Sequence, residues 1–165
     1  VIISGSSPRV VPYNKSMTVA GKAGPRAGVT LYVGGKAVQS TTANSTGAFS
    51  TTYMPKADIT FYAQAFGRNS ASHVAKVRAT VNGSTLRTVT KGSNVTISGT
   101  YMPGKKLAVY MRKPTDPAGK YPRIIYATVN SNGSYSFTFK ADTKKVFYVQ
   151  APNGTKTSLY TVAIK

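Results

Sequence analysis

The chain contains no cysteine, no tryptophan and no glutamate, and its 165 residues include only three acids (Asp58, Asp116 and Asp142) and one histidine, His73. Each shortage removes a chemistry. Without cysteine there is no disulfide framework, no zinc–thiolate site and no thiol nucleophile. A glycosidase needs two opposed carboxylates, which three scattered aspartates supply only by chance. A Ser-His-Asp triad has His73 alone to build on, and a Mg²⁺ or Ca²⁺ cage needs clustered oxygen ligands. The composition therefore implies no cofactor, no metal and no catalytic constellation. No apolar run approaches the roughly 20 residues of a membrane-spanning helix. No positively charged and then apolar leader opens the chain either, so Val1 is read as a processed terminus or an internal start.

What is abundant is positive charge. Lysine and arginine number 22, giving a net charge of +19 and an isoelectric point near 10.3. The hydrophobic fraction, 41%, suffices for a packed core. Short runs rich in Val, Thr, Tyr and Phe are punctuated by Gly, Pro, Asn and Ser at roughly 8–12-residue spacing, the pattern of an all-β sandwich or barrel. Segments with a 3.6-residue period and capping signals are missing, so helices are expected to be absent or a single turn.

The chain also repeats itself. Met17-Thr-Val-Ala-Gly21 resembles Val95-Thr-Ile-Ser-Gly99, an offset of 78, and Pro25 and Tyr32 match Pro103 and Tyr110 at the same offset. Further on, Asn44-Ser-Thr-Gly47 matches Asn130-Ser-Asn-Gly133, and Phe61-Tyr62-Ala-Gln64-Ala65 matches Phe147-Tyr148-Val-Gln150-Ala151, now at an offset of 86. The difference of eight locates an insertion in the second copy between Arg112 and Arg123. Two domains are expected, residues 1–83 and 84–165, joined near the turn-like Asn82-Gly83-Ser84. Alternation assigns faces within each copy: Val29, Leu31 and Val33, then Leu107, Val109 and Met111, point inward, with Phe137, Phe139, Phe147, Val149 and Ala151.

A strand ending in glycine, an apolar run, then Asn44-x-x-Gly47-x-Phe49-Ser50 (or Asn130-x-x-Gly133-x-Tyr135-Ser136) and Phe-Tyr-x-Gln-Ala resembles the bacterial immunoglobulin-like modules of secreted or wall-associated proteins of Gram-positive bacteria. The resemblance covers Arg9 to Thr80 and Arg87 to Lys165. It implies two tandem immunoglobulin-like β-sandwiches in a secreted or cell-wall-associated bacterial protein, with modules of this kind appended to wall hydrolases or adhesins. The Cys…Trp…Cys pattern of antibody domains is absent.

Three features are candidates for function. The first is charge. Divided at Ser84, the first copy carries nine cations and one acid (+8), the second thirteen and two (+11). The density peaks at Lys105, Lys106, Arg112, Lys113, Lys120 and Arg123, which are the expected contacts for an anionic partner: a wall polymer, an acidic polysaccharide, an acidic membrane or nucleic acid. The second is the insertion itself, expected to be a semi-rigid protruding loop carrying four cations and Tyr121, with Asp116 alone opposing. The third is an aromatic platform, for which alternation places Tyr32 and Tyr62 outward in the first copy and Tyr110, Tyr126 and Tyr148 outward in the second. Such rings stack sugars or bases, or serve as cross-strand pairs that stabilise the sheet. His73, in the polar stretch Asn69-Ser-Ala-Ser-His73, reads as a surface histidine at a strand start, and Asp58 and Asp142 as turn or local ion-pair residues. The reading expected from these features is a non-catalytic extracellular module that binds an anionic polymer. A spacer or adhesin stalk is the alternative, and a secreted tyrosine-based antioxidant ranks below both.

Overall fold

The computed structural model of the protein describes residues 1–165 and is all-β, without a helix. It divides into two compact units, Val1–Val77 and Arg78–Lys165. In chain order the first contains β1 (Ile2–Ile3), β2 (Arg9–Pro12), β3 (Met17–Lys22), β4 (Gly28–Val33), β5 (Lys36–Thr42), β6 (Ala48–Tyr53), β7 (Ile59–Ala65), β8 (Arg68–Asn69) and β9 (His73–Arg78), whose last residue crosses the division. The second contains β10 (Thr80–Val81), β11 (Leu86–Val89), β12 (Asn94–Thr100), β13 (Lys106–Arg112), β14 (Arg123–Thr128), β15 (Ser134–Lys140), β16 (Lys145–Gln150) and β17 (Tyr160–Ile164).

The strand order is the same in both units. In the first, β1-β3-β6 form one sheet and β2-β9-β7-β4-β5 the other, with β8 a short addition beside β7. In the second, β10-β12-β15 face β11-β17-β16-β13-β14. Setting β8 aside, each strand of the first unit has its counterpart in the second at the same position. The hairpin β4–β5 stays in one sheet, β6 crosses to the other and β7 returns, which is the Greek-key path of an immunoglobulin-like sandwich. The protein is therefore two tandem immunoglobulin-like β-sandwiches. Thr80 and Val81 pair with Thr100 and Gly99 of β12, so these residues, assigned by the sequence reading to the first copy, hydrogen-bond into the second.

The expected alternation is realised in the burial. Val19, Leu31, Phe61 and Ala63 close the first core, and Leu107, Val109, Phe147 and Val149 the second. The second core is richer in rings: Phe137 meets Phe147 edge-on at 5.5 Å, and Phe139 meets it at 6.3 Å. Each such ring contributes roughly 1.5–3 kcal/mol by leaving water, so one interior position, Phe147, anchors both sheets of its unit.

The insertion sits where the two copies differ most. In the first unit β4 and β5 are joined by Gly34 and Gly35, both at positive φ (54° and 80°), as a two-residue hairpin turn requires. In the second, the same strands, β13 and β14, are joined by residues 113–122. Asp116 organises that loop. Its Oδ2 accepts the Lys113 backbone N–H at 2.6 Å and an Arg123 guanidinium N–H at 3.4 Å, and its own N–H donates to the Lys113 carbonyl at 3.1 Å.

Candidate functional site

The outer face of the five-stranded sheet in the second unit gathers most of the residues singled out from sequence. Lys106, Ala108, Tyr110 and Arg112 alternate outward along β13. Register sets Tyr126 opposite Ala108 and Ile124 opposite Tyr110 on β14, and Tyr148 opposite Tyr110 and Gln150 opposite Ala108 on β16. Tyr110 and Tyr148 stack at 5.2 Å with ring planes 16° apart. Tyr121 reaches back from the insertion to meet Tyr148 edge-on at 5.0 Å.

Three cations cover these rings. The Lys106 ammonium stands 4.4 Å from the Tyr126 centroid, Arg112 5.7 Å from Tyr121, and Lys156 5.0 Å from Tyr148. Lys106 and Tyr126 are diagonal neighbours across β13–β14, the cross-strand relation that brings long side chains together. A shallow depression of about 240 Å³ lies among Lys106, Ala108, Tyr110, Tyr126, Gln150 and Pro152. None of the residues that alternation and register place on this face is acidic.

The first unit holds only the foundation of this arrangement. Tyr32 and Tyr62 stack at 5.0 Å, 3° from parallel, at the positions of Tyr110 and Tyr148. The Tyr32 hydroxyl donates to Gln64 Oε1 at 3.4 Å. Thr30 and Ser40 stand beside them with hydroxyls 3.5 Å apart, and neither tyrosine has a cation over its ring. The aromatic platform expected for both copies is thus a paired ring stack in both, and a cation-covered cluster in the second alone.

The six expected cations do not form a single patch. Lys105 precedes β13 and Lys106 opens it, whereas Arg112 closes it and Lys113 follows, about 20 Å away at the ~3.3 Å rise of a strand. Arg123 is spent on Asp116. Lys120 is exposed in the loop, and Lys113 is half-buried beside Asp116. Lys156, absent from the sequence reading, completes the cluster. It follows β16 by six residues, and no periodicity links it to Tyr148; only the Gln150–Lys156 bridge brings it there.

The remaining polar candidates are structural. His73 begins β9 as expected, but it is half-buried rather than a surface residue, because its ring packs 5.7 Å from Phe61 with Nδ1 enclosed. The three aspartates and His73 do not gather into a group of three. Asp58 Oδ1 accepts the Val77 N–H at 2.8 Å. Asp142 Oδ1 pairs at 2.6 Å with the ammonium of Lys145, a buried cation; the hydrogen bond from Lys145 holds the Asp142 carboxyl down at about 2. Burial pushes the Tyr135 phenol well above its ordinary range.

Two arginines missed by the sequence reading act as clips between sheets. Arg9 on β2 donates to the carbonyl of Thr18 on β3 at 2.7 Å and to that of Ser4, and its guanidinium lies 5.5 Å from the Phe61 centroid. Arg87 on β11 donates to the Thr96 carbonyl at 3.2 Å. Arg9 and Arg87 are 78 residues apart, as are Thr18 and Thr96, so the repeat offset was the signal that could have found them.

No family model and no curated protein matches the chain. Solved structures that resemble it include the D0-D1 domain of intimin, at 12% identity over 98% of each chain with a TM-score of 0.35. A titin segment aligns at 14% identity over 99% of this chain and 96% of its own, with a TM-score of 0.34. A carbohydrate acetylesterase from Xanthomonas citri is matched at 16% identity over 53% of this chain, which spans 19% of the esterase, with a TM-score of 0.38. At these values the immunoglobulin-like assignment rests on the strand order.

Proposed function

We propose that the protein is a non-catalytic extracellular binding module, secreted or associated with a bacterial cell wall, that contacts an anionic polymer through the outer sheet face of its second unit. The observation that carries this reading is the set of three cations held over tyrosine rings on a face without a carboxylate. A cation over an exposed ring gains about 0.5–1 kcal/mol, enough to bias long side chains toward one position. Less side-chain freedom is then lost when an anion arrives. The +19 field draws polyanions in from a distance, and the face supplies the contact. Lys105, Lys113 and Lys120 extend the positive potential at its two ends.

Titration with a poly(glycerol phosphate) wall polymer, heparin and DNA at low and moderate salt tests the proposal. Binding that weakens as salt rises is expected, and a K106A/R112A/K156A variant should lose most of it. Absence of binding to all three polymers at low salt overturns the reading.

One observation favours the spacer alternative. A single residue, Ala79, separates β9 from β10, so the sequence leaves no long flexible linker between the repeats. If the triple variant binds every polymer as the unaltered protein does, the charge is incidental to that face and the spacer reading takes precedence.

A further inference from the structure

The second unit contains a cavity that the first has closed, and the difference traces to one pair of equivalent arginines. A cavity of about 380 Å³, within the ~300–1,000 Å³ range of small-molecule sites, lies between β10–β11 and β17. Its walls include Leu86 and Tyr160, and Ile97, Phe147 and Val162 lie behind them, with Asn82 and Arg87 supplying polar groups.

The same place in the first unit is filled. There Arg9 swings across the gap, bonds the carbonyls of Ser4 and Thr18 and covers the Phe61 ring. By the offsets of 78 and 86, Ser4, Arg9 and Phe61 correspond to Asn82, Arg87 and Phe147 of the cavity. The equivalent glycines report the same contrast: a Cβ on Gly5 would meet the Arg9 guanidinium at 3.3 Å, whereas one on Gly83 would meet nothing within 4 Å. Arg87 keeps only its bond to Thr96; Tyr160, set opposite Phe147 as His73 is set opposite Phe61, stacks on Phe147 at 5.5 Å.

We infer that this cavity is a binding site for a small amphipathic anion, whose apolar body lies against Leu86 and Tyr160 and whose acid group pairs with Arg87. The chemistry follows from the lining: Leu86 and the Tyr160 ring offer contact to an apolar body, Asn82, Ser84 and Thr161 are neutral, and the exposed Arg87 guanidinium with unspent N–H donors is the one charge, which matches a carboxylate or sulfonate. A neutral molecule of the same shape gains only the apolar contacts.

Octanoate and 1-octanol serve as probes, followed by amide chemical shifts and calorimetry on the full chain. Octanoate should bind about tenfold more tightly than octanol, the discrimination expected of one charge-assisted hydrogen-bonded pair, and should shift the amides of Asn82, Gly83 and Thr161. Arg87→Gln should erase the discrimination. Leu86→Glu, at a residue 60% exposed and so tolerant of charge, should repel octanoate more than octanol. Equal binding of the two probes, retention of the preference in Arg87→Gln, or shifts confined to the tyrosine face each overturns the inference, as does absence of binding. The K106A/R112A/K156A variant should bind octanoate normally, so this site and the polymer-binding face fail or stand separately.

Discussion

Tyr135 lays its ring over the bare Cα of Gly99, so close that a Cβ built there would meet the phenol oxygen at 2.6 Å, with the Thr80 carbonyl nearer still. The hydroxyl donates to that carbonyl at 2.7 Å, tying β10 across β12 to β15. The first unit repeats the contact with Gly21, Ile2 and Phe49, where a Cβ would meet the ring at 2.8 Å. Glycine therefore stands one residue before the end of this strand in both copies because backbone and ring converge on its Cα. Gly99→Ala is expected to cost at least about 2–3 kcal/mol by overpacking against backbone that has nowhere to move. Gly28→Ala, where a Cβ meets nothing within 4 Å and φ is ordinary, should be neutral or slightly stabilising. Thermal unfolding of the two variants checks the contrast; equal melting temperatures would falsify it.

The buried Lys145 makes the second unit sensitive to acid. Asp142 titrates near 2 in the fold instead of its ordinary 3.8, so the native state favours the charged carboxylate. The contribution is complete above about pH 4 and is lost as pH falls through about 2. Denaturant unfolding between pH 5 and 2 should show this fall in the unaltered protein. Asp142→Asn should be less stable at neutral pH and should lack that part of the pH dependence.

Alkali acts on Tyr135 with the opposite sign. Its phenol stays protonated in the fold well above 10.0, the ordinary value, so the unfolded chain releases its proton first. Stability is therefore full below about pH 10 and declines above it. Tyr135→Phe should flatten that decline while costing about 1 kcal/mol at neutral pH for the lost bond to Thr80.

The 113–122 loop depends on a single carboxylate. Asp116→Ala removes the acceptor shared by the Lys113 N–H and Arg123. Trypsin should then cut faster after Lys120 and Arg123, with little change elsewhere in the chain. A cleavage pattern and rate identical to the unaltered protein's would show that the loop holds its shape without Asp116.

The two arginine clips should differ in weight. Arg9 engages two carbonyls and the face of Phe61, whereas Arg87 engages one carbonyl. Arg9→Ala should cost about 2 kcal/mol and Arg87→Ala about 1 kcal/mol or less. Chemical denaturation of each variant, with the unfolding of the two units followed separately by amide signals, measures both.

Alternation and internal repetition by themselves determined the β class, the duplication, the inward residues and the place of the insertion. Each of these is a local or self-referential property of the chain: a strand's period is two, and a copied segment betrays its own boundaries. The eight extra residues between Arg112 and Arg123 are the difference between a two-glycine turn and the 113–122 loop. Only the tertiary structure decided which partner each cation meets. Lys156 meets Tyr148, Arg123 is withdrawn by Asp116, Arg9 stoppers a gap that Arg87 leaves open, and His73 turns inward against Phe61. These pairings depend on strand register and on contacts between sheets. Charged side chains long enough to reach several partners carry no sequence mark of the one they choose.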